Sequence, residues 1–328
     1  MTDPFRRLSP SLKQRVGFLI FGNLALMGYI WFCTQRTADS SFTDELSRFG
    51  PNVAPELLAG LGLTGIIAAG AIDLSIGGII VVAGSVFGIL YEREISPALC
   101  FAACALTACA LSALNGYAIR LLKIPAIIFT LAGLTFYRGV GLLLAKWVDP
   151  SFPGHYSLQK AAYHAPGKEY GGVIMYAALA VAILWEWHGK TPRTWLALGS
   201  SAEACRLKGM RTGRTLQSAF LTSGAFLGLA ALTKITNQLT IEPSRLARGF
   251  ELDVIGGVVL GGTNIFGGEG SYIGTALGVF FLYWVGQALI YAGISEYWRD
   301  AIQGAVIIAV IGFDCAIHRK RKLMEELR

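Results

Sequence analysis

The sequence predicts an all-α, polytopic integral membrane protein with about ten transmembrane helices, two of which are short or broken. Of the 328 residues, 54% are hydrophobic and 15% are charged, whereas about a quarter of the residues in an average soluble domain are charged. So few charges cannot cover the surface of a soluble globule of this size. About ten spans of roughly 20 residues each would use about 200 residues, so the length suits one compact membrane domain with its loops.

Ten apolar runs are long enough, or nearly long enough, to cross a bilayer. The first follows a basic N-terminal segment, and no small-residue cleavage site comes after it, which favours a retained span over a secretory signal. The runs cover residues 16–33, 55–72, 76–90, 97–121, 124–145, 171–187, 217–234, 253–267, 272–291 and 299–316.

The charges in the loops predict the orientation of these spans. The loop 188–216 carries six lysines and arginines with Glu203 as its one acidic residue, and the tail 317–328 begins with a basic run. The loops 34–54 and 91–96 carry more acidic than basic residues. Because cytoplasmic loops are enriched in lysine and arginine, the loop 188–216 and both termini are predicted to be cytoplasmic.

The chain is therefore divided into three parts. Residues 1–15 form a cytoplasmic N-terminal segment, residues 16–316 form the transmembrane domain, and residues 317–328 form a cytoplasmic basic tail. The formal net charge of +7 follows from the basic clusters between spans. It does not indicate nucleic-acid binding, which requires a basic stripe on one face of a domain.

Two of the spans are predicted to be interrupted. The pair of runs over 55–90 has 36 residues, including the polar sequence Asp-Leu-Ser at 73–75, whereas two full crossings need about 40. The run 253–267 is also short and contains most of a glycine-rich stretch, 261–268. Irregular backbone at membrane depth is tolerated only where protein or a cavity surrounds it, and transporters use such breaks to contact their solute.

Motifs of catalysis and of nucleotide binding are missing from the sequence. It contains no GxxxxGK[ST] loop for ATP phosphates, no HExxH or Cys/His ligand spacing and no GxSxG elbow. Most of its six cysteines lie in apolar runs and are interpreted as small buried hydrophobes. We therefore expect a transport protein that is not an enzyme, with no metal or cofactor in this chain. Any ATP would be used by a partner.

Asp73 and Arg138 are the clearest charged groups inside the predicted spans, and each has two interpretations. Asp73 with Ser75 could cap the helix that starts near Ile76, or Asp73 could contact the solute. A single buried carboxylate can also couple transport to an ion gradient. Arg138 could pair with another group in the bundle or extend its side chain towards the interface.

The loop 188–216 contains a second candidate site. Glu203 and Ala204 followed by Gly209 predict a short amphipathic helix that ends at the glycine. One interpretation is a surface turn held by anionic lipid. The other is a coupling helix that inserts into a groove of a soluble partner.

Several motifs occur in an order and spacing that resemble those of one transporter family. They are residues 71–77 (AIDLSIG), 115–116 (NG), 123–133 (KIPAIIFTLAG), 138–139 (RG), 201–204 (SAEA) with Gly209, 249–255 (GFELDVI), 258–263 (VVLGGT) with the glycines and serine at 267–271, and 297–298 (YW). Over nearly its whole length the sequence resembles the permease subunits of ribose-, xylose- and galactoside-type ABC importers, in the wider group that includes branched-chain amino-acid permeases. It departs from the family pattern at Ala71, where a glycine is usual, and at 205–208, where the docking segment is less apolar.

The resemblance implies a permease of the bacterial plasma (inner) membrane that imports a small neutral sugar. It implies a dimer with a second copy or a paralogue, ATP-binding subunits that carry ATP and magnesium, and a secreted or periplasmic solute-binding protein. Glu203, Ala204 and Gly209 would belong to the loop that docks the ATPase. The candidate residues of the translocation pathway are Asp73, Ser75, Asn115, Thr130, Arg138, Glu251, Asp253 and Thr263.

Two alternatives remain open from the sequence. One is an ion-coupled secondary transporter, with Asp73 as the coupling group. The other is an ABC permease whose solute is a branched-chain amino acid or a nucleoside.

Overall fold

A computed structural model describes most of the chain. It covers residues 10–35, 41–148, 156–158, 160–238, 240–295, 298, 301–302, 304–305, 308–309 and 312. The predicted tail 317–328, residues 1–9 and much of the predicted last span lie outside these described residues.

The described residues form eleven α-helices, a 3-10 turn at Ala161–Tyr163, a π-helical turn at Ala165–Glu169 and one short antiparallel ladder. The helices are α1 Pro10–Thr34, α2 Phe42–Ala68, α3 Ile76–Glu92, α4 Pro97–Leu122, α5 Ala126–Val148, α6 Gly171–His188, α7 Lys190–Ser200, α8 Ala202–Leu207, α9 Thr212–Thr236, α10 Phe250–Leu260 and α11 Tyr272–Tyr291. The strands β1 Tyr156–Ser157 and β2 Thr240–Ile241 pair through Tyr156 with Ile241 and Ser157 with Thr240.

Helices of membrane-spanning length dominate the fold. In the part of the chain that the structure describes, seven helices are long and apolar enough to cross a bilayer, namely α1, α2, α4, α5, α6, α9 and α11. The short helices α3 and α10 have 17 and 11 residues. The prediction of an all-α polytopic membrane protein is thus confirmed, and α3 and α10 adjoin the two predicted breaks.

The structure differs from the prediction at the start of α2. We expected a loop up to residue 54, but α2 begins at Phe42 and has 27 residues. Its N-terminus is stabilised by Ser41, whose Oγ accepts from the Thr43 N–H (3.3 Å) and whose own N–H donates to the Asp44 carboxylate (3.4 Å). Such a cap satisfies donors that the first helical turn leaves unpaired. Hence α2 is not short, and the break lies only at its C-terminal end.

Helix α2 forms the core of the bundle. It packs against α6, α9, α10 and α11, and Leu57, Leu61 and Ile66 on this helix are fully buried. The outer helices expose large apolar side chains such as Phe21 and Leu143, as expected for surfaces that face lipid. The bundle therefore places the C-terminal end of α2, and the break after it, deep among other helices.

One end of the bundle carries α7, α8 and residues 120–123, and we call it the basic end. There the Arg120 guanidinium donates to Gln217 Oε1 (2.5 Å), which joins α4 to α9. The Tyr272 N–H at the start of α11 donates to the Glu186 carboxylate near the end of α6 (3.3 Å). These contacts bring the ends of four helices to one side.

The opposite end is joined by different contacts. Lys160 forms an exposed ion pair with Glu94 (2.9 Å), and this pair lowers the pKa of the Glu94 carboxyl below its ordinary value. The Tyr291 hydroxyl donates to Glu45 at the start of α2 (3.0 Å). The β1–β2 ladder belongs to segments that follow α5 and α9.

Candidate functional site

The first break, residues 69–75, separates α2 from α3. Backbone groups that leave a helix lose their partners and must find others. Thr130 on α5 supplies two of them, because its Oγ1 accepts from the Leu74 N–H (3.1 Å) and donates to the Ile72 carbonyl (3.2 Å). One fully buried hydroxyl thus satisfies a donor and an acceptor of the break.

A chain of hydrogen bonds joins the break to α4 and α5. The Tyr137 hydroxyl donates to Asn115 Oδ1 (2.6 Å), Asn115 Nδ2 donates to Ser75 Oγ (2.8 Å), and Ser75 Oγ donates to Asp73 Oδ1 (2.5 Å). Every donor in this order is directed towards the carboxylate. Asp73, Ser75 and Asn115 are fully buried. We call Asp73, Ser75, Asn115, Thr130 and Tyr137 the break network.

Asp73 turns the backbone into α3, although the N-cap residue Ser75 makes no side-chain cap hydrogen bond. Asp73 Oδ1 also accepts from the Ser75 N–H (2.8 Å) immediately before α3, which is an Asx turn at a helix start. Its Oδ2 is buried and has no hydrogen-bond partner among the described residues. In this conformation Asp73 is closed off from solvent, so it could contact a solute only after the break rearranges.

Arg138 pairs inside the bundle. Its Nη2 donates to the Ala247 carbonyl (2.6 Å) and lies 3.7 Å from Glu251 Oε2. Ala247 has a φ of +50°, in the left-handed region that residues with a Cβ rarely adopt. A side-chain atom added at Gly77 would lie 3.2 Å from Arg138 Nη2. The Arg138–Glu251 pair therefore lies against the first turn of α3, next to the break network.

The remaining predicted pathway residues lie on α10 and after it. Asp253 is half-buried two residues beyond Glu251. Thr263 is fully buried in the second break, residues 261–271, and its Oγ1 has no hydrogen-bond partner among the described residues. A Cβ added at Gly270 would meet both Thr263 and Ala68, so Thr263 lies beside the C-terminal end of α2.

The loop predicted to dock a partner forms two helices, α7 and α8. Ser201 separates them, and its Oγ accepts from the Ala204 N–H at the start of α8 (3.2 Å). After α8 the chain turns at Gly209, which has a φ of +76°, the usual glycine end of a helix. Glu203, Ala204 and Gly209 are all exposed. The predicted short helix ending at Gly209 is therefore present.

Sequence reasoning missed three residues of these sites. Tyr137 ends the hydrogen-bond chain, but its apolar surroundings in the sequence resemble those of any core tyrosine. Leu207 on α8 is 84% exposed. Because it lies among basic residues in the sequence, the sequence does not show that its apolar side chain points away from the bundle. Trp195 on α7 is buried. The spacing of the apolar residues within the basic loop is the sequence pattern that could have indicated its burial.

These features define a class of protein. Spanning helices, two helix breaks and an exposed helix at the basic end are the arrangement of a polytopic transport protein that a separate subunit drives. The chain belongs to the family described as branched-chain amino acid transport system, permease component, whose family model matches residues 52–311. It is therefore a transmembrane permease subunit of an ABC import system, a multi-pass protein of the inner (plasma) membrane and not an enzyme.

Relatives in other bacteria carry names that describe import. The chain is 32% identical over 272 residues to the autoinducer 2 import system permease protein LsrC of Photorhabdus laumondii subsp. laumondii, covering 80% of each chain. It is 30% identical over 282 residues to the LsrC protein of Salmonella choleraesuis, covering 83% of this chain and 79% of the relative. No solved structure matches the chain significantly.

Proposed function

We propose that this chain imports a small neutral sugar or sugar-like solute as the transmembrane half of an ABC importer with ten spans and both termini in the cytoplasm. It would work as a dimer with a second copy or a paralogue. A solute-binding protein would deliver the solute, and ATP with magnesium would be hydrolysed on a separate subunit. The observation that carries the proposal is the exposed helix α8 at the basic end.

The charges within the bundle support a neutral solute. Arg138 pairs with Glu251, and Lys234 pairs with Glu56 at 2.7 Å, so these groups neutralise one another. Asp73 is fully buried within the break network. The relatives named for autoinducer 2 import favour a sugar-like solute over a branched-chain amino acid, which would bring two charges into the pathway.

The surface of α8 supports docking of the ATP-binding subunit. Leu207 is exposed on a helix that also carries Glu203 and lies next to Lys208. An apolar centre with a polar rim is the usual anatomy of a protein–protein contact. Burial of one leucine is worth about 1.5–3 kcal/mol, enough to change the affinity by about tenfold or more.

The docking role is tested by substitutions at Gly209 and Leu207. Gly209→Asp places a side chain on left-handed backbone and a negative charge at the C-terminal end of α8, both of which are unfavourable. We expect loss of the ATP-binding subunit on co-purification, together with loss of ATP-driven uptake of labelled ribose or autoinducer 2 in proteoliposomes. Leu207→Ser should weaken the same binding by about tenfold.

Two matched variants serve as controls. Gly209→Asn tolerates the left-handed backbone and adds no charge, so it should keep most of the binding. Lys190→Ser removes an exposed side chain of the same loop outside α8 and should have no effect. Unchanged binding and uptake in Gly209→Asp and Leu207→Ser would reject α8 as the docking helix and would leave contact with anionic lipid as its role.

A further inference from the structure

The C-terminal end of α7 lies against both breaks, and glycine backbone makes the closest approaches. We call Gly70, Gly199, Gly267 and Gly268 the glycine junction. A Cβ at Gly199 would lie 2.5 Å from the Gly268 nitrogen, and a Cβ at Gly267 would lie 2.8 Å from the Gly70 Cα and 2.9 Å from the Gly199 Cα. Real Cβ atoms do not approach other atoms so closely, so no side chain fits at Gly199 or at Gly267.

A direct hydrogen bond also joins the second break to the end of α2. The Gly268 N–H donates to the Ala68 carbonyl at the end of α2 (3.0 Å), and a Cβ at Gly199 would collide with that same oxygen. Gly70 lies in the first break and Gly267 in the second. The last turn of α7 is therefore in contact with both.

Helix α7 is held in place one turn before the junction. The indole of Trp195 is buried, and its Nε1–H donates to Ser218 Oγ on α9 (2.9 Å). A Cβ at Gly65 on α2 would lie 2.8 Å from the Trp195 ring, and Trp185 on α6 meets the ring edge to face at 5.3 Å. The last turn of α7, which contains Gly199, therefore lies between the packed Trp195 indole and α8.

The connection from α7 to α8 is a single residue, Ser201. Its hydroxyl caps α8, so the orientation of α8 is tied to the end of α7. No flexible loop lies between α7 and α8 that could absorb a displacement of α8. At the glycine junction, backbone packs on backbone, so no side chain can change its rotamer to relieve a displacement. Closely packed interiors have low compressibility and transmit strain.

We propose that α7 transmits the movement of α8 to both helix breaks through the glycine junction. The proposal rests on the function proposed above, in which α8 docks the ATP-binding subunit. When that subunit moves α8, Gly199 shifts against Gly70 and Gly267, and the two breaks rearrange together. Gly199 is thus a positioning residue for transport and touches neither solute nor ATP.

The test separates docking from transmission. Thr263→Cys, in a chain whose native cysteines are replaced, places a thiol at a fully buried position of the second break. In the assembled complex, ATP should increase the labelling of this thiol by a maleimide. Gly199→Ala should reduce that ATP-dependent increase by about tenfold, while the ATP-binding subunit stays bound and basal ATP hydrolysis stays unchanged.

The control is Gly28→Ala on α1, where an added Cβ meets nothing within 4 Å, and it should label as the parent chain does. If Gly199→Ala does not fold, Gly268→Asn probes the junction from the other side. Asparagine tolerates the φ of +85° at that position, and the added Cβ would lie 2.7 Å from Ser200 Oγ and 3.1 Å from Ser200 Cα. Gly268→Asn should suppress the ATP-dependent labelling in the same way.

Three results would overturn the proposal: unchanged labelling in both junction variants, no ATP-dependent labelling in the parent chain, or loss of the ATP-binding subunit from Gly199→Ala. A different result would show that α8 does not dock the ATP-binding subunit. In that case Gly209→Asp and Leu207→Ser would still bind the subunit, whatever the junction variants do.

Discussion

The break network shows how single residues make an interrupted helix tolerable inside a membrane protein. Thr130 pairs with the Leu74 N–H and the Ile72 carbonyl, and Asp73 accepts two hydrogen bonds from Ser75 on one oxygen. A buried polar group without a partner costs about 1–3 kcal/mol. Each of these side chains therefore contributes by removing a cost that the break would otherwise carry.

Thr130→Val tests this contribution, because valine keeps the shape of threonine and removes the hydroxyl. Two backbone groups of the break lose their partner, and we expect the free energy of unfolding to fall by about 1–3 kcal/mol, measured as a lower thermal midpoint in detergent. Thr107→Val on α4 is the control, since the Thr107 hydroxyl donates only to the Ala103 carbonyl of its own helix (2.7 Å). Equal midpoints for the two variants would contradict the role of Thr130.

At the scale of elements, Arg138 connects α5 to the segment that enters α10. Its guanidinium holds the Ala247 carbonyl and lies near Glu251, although neither residue is adjacent to α5 in the sequence. The contact fixes where α10 begins relative to α3. Glu94 and Lys160 provide a comparison, because this ion pair is closer, at 2.9 Å, but exposed.

A double-mutant cycle distinguishes the two pairs. Arg138→Gln and Glu251→Gln, alone and together, should give a coupling of about 1 kcal/mol in thermal or denaturant unfolding, because contacting groups in one network are not additive. The cycle with Glu94→Gln and Lys160→Gln should give no measurable coupling, as is usual for exposed pairs. Additive effects at Arg138 and Glu251 would mean that the two groups do not act on each other.

Sequence patterns predicted the elements where hydropathy and breakers agree. The end of α2 and the start of α3 follow from the polar residues 73–75, and the glycines at 261–268 predict the end of α10. The start of α2 was missed because residues 42–54 contain Asp44, Glu45, Arg48 and Pro51. This stretch has no continuous apolar run, although the helix continues through it.

The residues of the candidate sites could be predicted in part from the sequence. Asp73, Ser75, Asn115 and Thr130 stand out as polar residues in or between apolar spans, and the structure brings them together. Tyr137 could not be assigned, because its hydroxyl meets Asn115 only after α4 and α5 pack. The glycine junction was also hidden, since the positions of Gly199 and Gly267 in the sequence give no indication that their backbones touch.

For the whole molecule, the question is which energy source moves the solute. The family and the exposed α8 favour ATP on a partner subunit, whereas the unpaired Asp73 Oδ2 is the feature that would serve ion coupling. The arrangement around Asp73 supports a structural role, because its other oxygen accepts from both the N–H and the hydroxyl of Ser75 just before α3. The two energy sources predict opposite responses of the assembled transporter.

The last prediction compares these sources in proteoliposomes. The complete complex should take up labelled ribose or autoinducer 2 only with ATP, and a protonophore should leave the initial rate unchanged. Asp73→Asn keeps an oxygen that can accept from Ser75 and removes the charge, so the ATP-driven rate should fall by no more than about threefold if it folds as the parent does. The chain alone should show no uptake under an imposed proton gradient. Gradient-driven uptake by the chain alone, abolished by Asp73→Asn, would replace the ABC mechanism with ion coupling.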